Sequence, residues 1–244
     1  MEAMLLRERY KVVRILWSQP DYALAEAVDI QDRETPTLLL NLYEGELLYR
    51  YGGICSAISQ ADCPQFRGMF LDGGTLAVVF EDCQGKNIDR VFHRGDRWGW
   101  RDRLDFAQLV LHQALVMVKL PPEVSCAAML SDNLMVDVPE RRVRVRYMLR
   151  PTQDLEPREL ALLAGDQVRK ILIRQLRSAD AELKFLDRLD RETFHSIVPL
   201  YAAWREALPD IQAECEGYEA KNFIGKGIAL LKRWVKRRKR RDRA

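Results

Sequence analysis

The spacing of apolar residues changes once along this chain, near residue 100, and that change limits the folds open to it. Before it, short segments rich in β-branched and aromatic residues alternate with turn sequences, which is typical of strands. After it, apolar residues recur every three or four positions, which is typical of helices. Strands followed by helices predict an α+β fold with two lobes, joined near residues 81–85.

The strand-like part contains three segments, at 10–16, 22–28 and 37–43, and one clear hairpin. In that hairpin Asp72-Gly73-Gly74 supplies the positive φ angles of a tight turn. Residues 45–60 between them predict one short helix, broken at Gly52-Gly53.

The helical part begins with an apolar stripe over 104–119 that ends at Pro121-Pro122. Two short strand-like pieces follow, at 133–136 and 143–147. Pro157 stands at a favourable first helical position, and the segments after it have helical spacing. No internal repeat is visible.

Charge is distributed unevenly along the chain. The whole sequence of 244 residues has a formal charge of +3, but residues 221–244 hold eleven basic side chains and one acidic one, a net +10. Residues 1–220 hold 28 basic and 35 acidic side chains, a net −7. This excludes a uniformly basic nucleic-acid-binding surface and indicates a mildly acidic body with a basic end.

The basic end has the pattern of an amphipathic helix, because Ile224, Ile228, Leu231 and Val235 share one face, which Leu230 and Trp234 are expected to widen. Such a helix suits an anionic membrane surface or an acidic protein partner, and nucleic acid is a weaker candidate because the body is acidic. Alternatively, the helix packs on the second lobe and the end is solvated, or the cluster stands beside a membrane span. The candidate membrane- or partner-binding residues are Lys232, Arg233, Trp234, Lys236, Arg237, Arg238, Lys239, Arg240 and Arg241.

Other bulk features point to a reduced, cytoplasmic setting, with possible membrane contact only at the periphery. No apolar run is long enough for a membrane span, and the first residues lack the pattern of a secretion signal. The five cysteines form no C-x-x-C pair and the three histidines are far apart, so we expect no metal.

The order of elements, and the residues where they join, resemble a protein kinase over residues 5–150. Residues 10–28 resemble the first two strands and the loop that would cover the ATP phosphates, and 38–42 resemble the third strand. Residues 76–83 are similar to the fifth strand and the hinge. The best local match is residues 120–137, which lie where a kinase has its catalytic loop, and 132–136 are similar to the end of that loop. The resemblance implies a small β-rich lobe at 1–83 and a helical lobe at 84–220, and the charge pattern adds a basic amphipathic segment at 221–244.

The positions that carry kinase chemistry are altered throughout. No glycine occupies the phosphate-covering loop, an uncharged amide replaces the third-strand lysine, and the catalytic and metal-binding aspartates are absent. Only an asparagine remains at a metal-contacting position. These degenerate positions are Trp17, Gln19, Tyr22, Asn41, Ala128, Tyr147 and Asn133.

The resemblance therefore implies a degenerate bacterial pseudokinase with no catalytic residue, nucleotide cofactor or metal. Its function would be that of a scaffold for an unidentified protein partner, at the cytoplasmic surface of a membrane, with Trp17 and Tyr22 plugging the nucleotide site. One alternative is an active but atypical ATP-dependent phosphotransferase that uses Asp132 and Asp137. Another is an accessory domain that binds membrane or nucleic acid through its basic tail.

Overall fold

Six antiparallel strands form one sheet in the amino-terminal part of the computed structural model, which describes residues 4–32, 37–152 and 155–241. Their order across the sheet is β1-β2-β3-β4-β6-β5. The strands are β1 (Leu5–Leu6), β2 (Tyr10–Gln19), β3 (Tyr22–Asp29), β4 (Leu38–Tyr43), β5 (Phe66–Asp72) and β6 (Thr75–Glu81). Each strand predicted from the sequence is present.

Two tight turns connect strands of this sheet. The β5–β6 turn has Gly73 and Gly74 at φ 54° and 88°, which confirms the predicted hairpin. Between β2 and β3 only Pro20 and Asp21 lie outside the strands, and Asp21 has φ 58°. Proline followed by a positive φ fits a type II turn, which leaves no loop long enough to wrap a phosphate chain.

Helix α1 (Gly45–Ser56) connects β4 to β5 and runs without interruption through Gly52-Gly53. The predicted break is therefore wrong. Tyr51 and Cys55 lie one turn apart on the buried face and hold this part of the helix against the core. Gly52 lies beside the Leu76 side chain of β6, and a Cβ there would be in ordinary contact with it at 3.8 Å.

The carboxy-terminal part is mainly helical, with a small three-stranded sheet in the order β7-β8-β9. Helix α5 begins at Pro157 as predicted, whereas the short α4 was not predicted. The strands are β7 (Lys86–Asn87), β8 (Leu134–Asp137) and β9 (Arg142–Val145). The helices are α2 (Ile88–Val91), α3 (Trp100–Met117), α4 (Pro122–Ala128), α5 (Pro157–Ile171), α6 (Asp180–Arg191), α7 (Ile197–Glu219) and α8 (Phe223–Arg241).

One continuous hydrophobic core runs through both parts of the chain. It extends from Leu24 and Tyr43 in the large sheet to Phe106 on α3 and Trp204 on α7. A second, smaller cluster lies around Leu40 and Val79. These residues alternate along their strands with those of the first core, so their side chains lie on the opposite face of the sheet. The strand-rich and helical parts therefore share one core, and this arrangement confirms the predicted two-lobed α+β fold. The exact division at 1–83, 84–220 and 221–244 stays a prediction.

Candidate functional site at the lobe junction

Residues 146–150, which we call the junction segment, follow β9 and cross between the two lobes. Every residue in it has a backbone group that is hydrogen-bonded to one lobe or to the other. The segment begins where Arg146 N donates to Asn133 O at 2.8 Å. It contains Tyr147, the position that the kinase resemblance assigns to the metal-binding aspartate.

Asn41, at the position of the third-strand lysine, supplies the central contact from the strand-rich lobe. Its side chain is fully buried. The amide Nδ2 donates to Tyr147 O at 2.9 Å, and Oδ1 accepts from Leu149 N at 2.8 Å and from Tyr22 Oη at 3.1 Å. These three bonds occupy most of the amide's capacity, so Asn41 fastens the junction segment.

Three tyrosines extend this attachment. Tyr43 stacks on Tyr51 with ring centroids 4.2 Å apart, and Tyr22 packs against Tyr43 at 5.2 Å. Tyr43 Oη donates to Leu149 O at 2.7 Å. Burial raises the pKa of Tyr22 and of Tyr43 far above the usual value for a phenol, so both hydroxyls remain protonated donors.

Asn133 holds the junction segment from the helical lobe. It is buried, and its Nδ2 donates to Ala127 O at 2.7 Å and to Met148 O at 3.0 Å. Both donors of the amide are thus used on backbone carbonyls, as expected for an asparagine with a local structural role. Ala128 ends α4 and is fully buried, with only a methyl side chain.

Arg146 joins three separate parts of the chain. Its Nε and Nη2 bind both carboxylate oxygens of Asp82, at 2.7 and 2.8 Å, directly after β6. Nη2 also lies 3.0 Å from Oε1 of Glu26 on β3. The Asp82 side chain is 1% exposed, so a bidentate charged pair closes the space beside the predicted hinge.

Glu26 is shared between two arginines. Arg14 on β2 binds it through Nη2 and Nε at 2.8 and 3.2 Å, on the same face as Arg146. The hydrogen bond from Arg14, helped by Arg146, holds the pKa of Glu26 below its usual range. This face of β2 and β3 is therefore covered by ion pairs.

The three degenerate positions on β2 and β3, Trp17, Gln19 and Tyr22, differ in how deeply they are buried. Tyr22 is 2% exposed, whereas Trp17 is 44% exposed, and the Arg150 guanidinium lies 4.6 Å from its ring centroid. Gln19 is exposed at the end of β2, opposite Tyr22. Tyr22 thus fills the interior, while Trp17 packs with Arg150 at the rim.

Asp132 and Asp137, the residues of the alternative phosphotransferase hypothesis, have different surroundings. Asp132 is an exposed carboxylate 3.8 Å from Arg150. Asp137 ends β8, where it accepts from Glu140 N at 3.2 Å and faces Arg144 at 3.5 Å. Asp137 therefore caps the β8–β9 turn.

Titratable groups suited to metal binding are scattered. Across residues 4–32, 37–152 and 155–241, no three histidine, cysteine or acidic side chains come together in a way that would hold an ion. All five cysteines are unpaired thiols, and burial raises the pKa of Cys55 to about 12 and that of Cys126 to about 11.

Helix α8 carries the predicted membrane- or partner-binding residues, and its apolar side chains are largely exposed. Phe223, Ile224 and Leu231 are 92%, 71% and 62% exposed. Lys232 and Trp234 are exposed, but Arg233 is half-buried against the body. None of the helices described here is apolar over a length sufficient to cross a bilayer.

These observations define a kinase-like two-lobed fold whose junction is held by its own side chains. Among solved structures, the chain is similar to the crystal structure of Rad53 1-466 in complex with AMP-PNP. The TM-score is 0.53 at 12% identity, and the similarity covers 77% of this chain and 62% of that one, less than two thirds of its length. No protein-family model and no curated protein matches the sequence.

The sequence did not reveal Arg146, Asp82, Glu26, Tyr43 or Tyr51 as junction residues. For two of them, the sequence contained a feature that could have indicated a buried ion pair. Glu26 is an acid between apolar residues of β3, and Asp82 follows an apolar strand at the predicted hinge. A buried charge in such a place needs a partner, and the Arg146 side chain provides one for both.

Proposed function

We propose that this chain is a catalytically inactive kinase-like module that acts by binding another protein and has no use for a nucleotide. The observation that carries the proposal is the position of Arg146, between Asp82 and Glu26. By resemblance, these residues belong to the hinge and to a strand that covers the nucleotide. This position supports the proposal, because a guanidinium between the hinge and that strand would leave little room for a nucleotide.

The electrostatics of the junction support the same conclusion. Asn41 replaces the lysine that would bind phosphates, and its amide is already engaged with Tyr147, Leu149 and Tyr22. The turn that replaces the glycine-rich loop carries Asp21 at its tip, where a carboxylate repels phosphate. Phosphoryl transfer depends on positioning and charge stabilisation, and both are missing from these positions.

A thermal-shift titration with ATP and Mg²⁺ tests the proposal. A nucleotide at a hundred times its Kd would stabilise the protein by about 2.7 kcal/mol, which is readily seen as a rise in Tm. We expect no saturable rise for the natural sequence. A saturable rise would show that Arg146 does not block the site, and the proposal would be wrong.

A transfer assay addresses the alternative of an active phosphotransferase. Incubation with γ-labelled ATP should give no labelled protein above a boiled control. Label that is transferred by the natural sequence and lost in Asp132→Ala would favour that alternative, since Asp132 is the exposed acid beside the junction segment.

A second part of the proposal places the module at the cytoplasmic surface of a membrane. It is supported by the exposed apolar side chains of α8 and by the net charge of +10 over 221–244. This part concerns a different surface from the junction, and separate experiments with lipid vesicles test it.

A further inference from the structure

Helix α8 contacts the body through a face of mixed polarity. Its half-buried residues, spaced as one helical face, are Gly225, Lys226, Ala229, Leu230 and Arg233. Arg233 Nη1 donates to Arg177 O at 2.7 Å, and its guanidinium lies 5.2 Å from the ring centroid of Tyr218 on α7. Arg233 thus connects α8 to two other parts of the helical lobe.

The apolar side of α8 faces away from the body. Ile224, Ile228, Leu231 and Val235 are 71%, 51%, 62% and 38% exposed. At 100° per residue the centre of this face is diametrically opposite Arg233. An amphipathic helix on a globular protein normally turns its apolar stripe inward, whereas α8 turns these four large apolar side chains outward.

Cations flank the outward face. By helical spacing, Lys232 lies on one side of the apolar stripe and Arg238 on the other, where its guanidinium is 5.7 Å from the Trp234 ring centroid. The sequence adds an uninterrupted basic run, Lys236 to Arg241. An occupant of this face must therefore bury apolar side chains and also supply negative charge.

These two requirements select among the candidate occupants. A second copy of the helix would cover the apolar stripe but would bring another net charge of +10 close to the first. A nucleic-acid duplex would neutralise the cations but would leave the isoleucines and leucine in water. An anionic lipid surface provides an apolar layer and, just above it, a layer of negative charge.

We propose that α8 lies flat in the interface of an anionic lipid surface, with its Ile224–Val235 face inserted and the body held on its opposite side by Arg233. This deepens the membrane part of the proposed function and rests on that part alone. The helix is 19 residues long, about 28 Å, and lies in the plane of the interface. The attachment orients the body relative to the lipid surface.

Co-sedimentation of the full chain with vesicles tests the proposal. We expect at least about tenfold tighter binding to mixed phosphatidylcholine–phosphatidylglycerol vesicles than to pure phosphatidylcholine, and weaker binding as salt is raised. The double variant Ile228→Ser/Leu231→Ser should bind at least about tenfold more weakly. Val116→Ser/Val198→Ser removes two comparably exposed apolar side chains elsewhere and should bind like the natural sequence.

Tryptophan fluorescence tests which face is inserted. Trp234 and Trp17 are similarly exposed, at 48% and 44%. Anionic vesicles should shift the emission to the blue, and Trp234→Phe, but not Trp17→Phe, should remove most of the shift. A shift that persists in Trp234→Phe would overturn the orientation.

Three further outcomes would overturn the membrane proposal. One is equal vesicle binding by the Ile228→Ser/Leu231→Ser variant. The others are binding to duplex DNA without binding to vesicles, and a dimer in vesicle-free solution that the same variant dissociates. None of these outcomes bears on the nucleotide titration, so failure here is distinguishable from failure of the inactive-kinase proposal.

Discussion

The side-chain amide of Asn41 on β4 and the backbone carbonyl of Tyr147 are joined by a buried hydrogen bond of 2.9 Å. These residues occupy the positions that, by resemblance, would hold a phosphate-binding lysine and a metal-binding aspartate. Two positions that would act on a nucleotide are thus bonded to each other, which makes their interaction structural.

Replacement of Asn41 should therefore destabilise the protein. Asn41→Ala removes three hydrogen bonds and leaves Tyr147 O and Leu149 N without these partners in a buried site, so we expect a loss of about 3 kcal/mol in the free energy of unfolding. Gln19→Ala, at an exposed degenerate position, should change it by less than about 0.5 kcal/mol. Urea unfolding followed by circular dichroism measures both, and equal values would contradict this role for Asn41.

The Arg146–Asp82 pair should show strong coupling. Since Asp82 is buried and bound through both oxygens, loss of either partner leaves a poorly solvated charge and should cost about 3–5 kcal/mol. In a double-mutant cycle of Arg146→Met and Asp82→Asn, the loss in the double variant should be well below the sum of the losses in the two single variants. The exposed pair Arg188–Glu192 serves as the control and should couple by less than about 1 kcal/mol. Additive losses at Arg146 and Asp82 would mean that the pair does not close the junction.

Two glycines should respond in opposite directions to alanine. A Cβ at Gly85 would lie 2.9 Å from Met135 Cβ and 3.2 Å from Val136 O, so Gly85→Ala should destabilise the protein by about 1–3 kcal/mol. Gly53 lies within α1 with open space around it, and Gly53→Ala should stabilise the protein by about 0.5–1 kcal/mol. Thermal unfolding of both variants measures the two changes, and we expect a lower Tm for Gly85→Ala and a higher Tm for Gly53→Ala. A neutral Gly85→Ala would show that the linker between the lobes can move aside.

Stability should fall in acid partly because of Asp96. Burial opposes its ionisation, but the N–H groups of His93 and Trp98 and the Arg103 guanidinium together hold its pKa below the usual value. A carboxyl whose pKa is lower in the folded state stabilises the fold above its unfolded pKa of about 3.9, and this contribution is lost as the pH falls through the folded pKa. Asp96→Asn should flatten the stability profile below about pH 5.

The matched variant for this pH series is Asp105→Asn. Its carboxylate is 67% exposed and pairs with Arg141 at 3.3 Å, so its removal should cost less than about 1 kcal/mol in the free energy of unfolding. Parallel profiles for the natural sequence and Asp96→Asn would exclude the assignment to Asp96.

The α+β fold, the β5–β6 hairpin and the start of α5 at Pro157 were predictable, because local patterns determine them. Helix α4 has only seven residues, too few for a recognisable apolar period. The junction was not predictable, since Asn41 and Tyr147 are 106 positions apart and Asp82 and Arg146 are 64 apart. In α8 the sequence defines two faces, and only tertiary structure decides which face contacts the body.

The attachment of the junction segment at every residue has a mechanical consequence. Enzymes that open and close around a ligand keep few bonds between their halves, whereas here successive backbone groups are bonded to one half or the other. Surfaces on the two halves then keep a fixed distance and orientation relative to each other. A protein that touches both surfaces meets them already in place, so complex formation loses less conformational entropy.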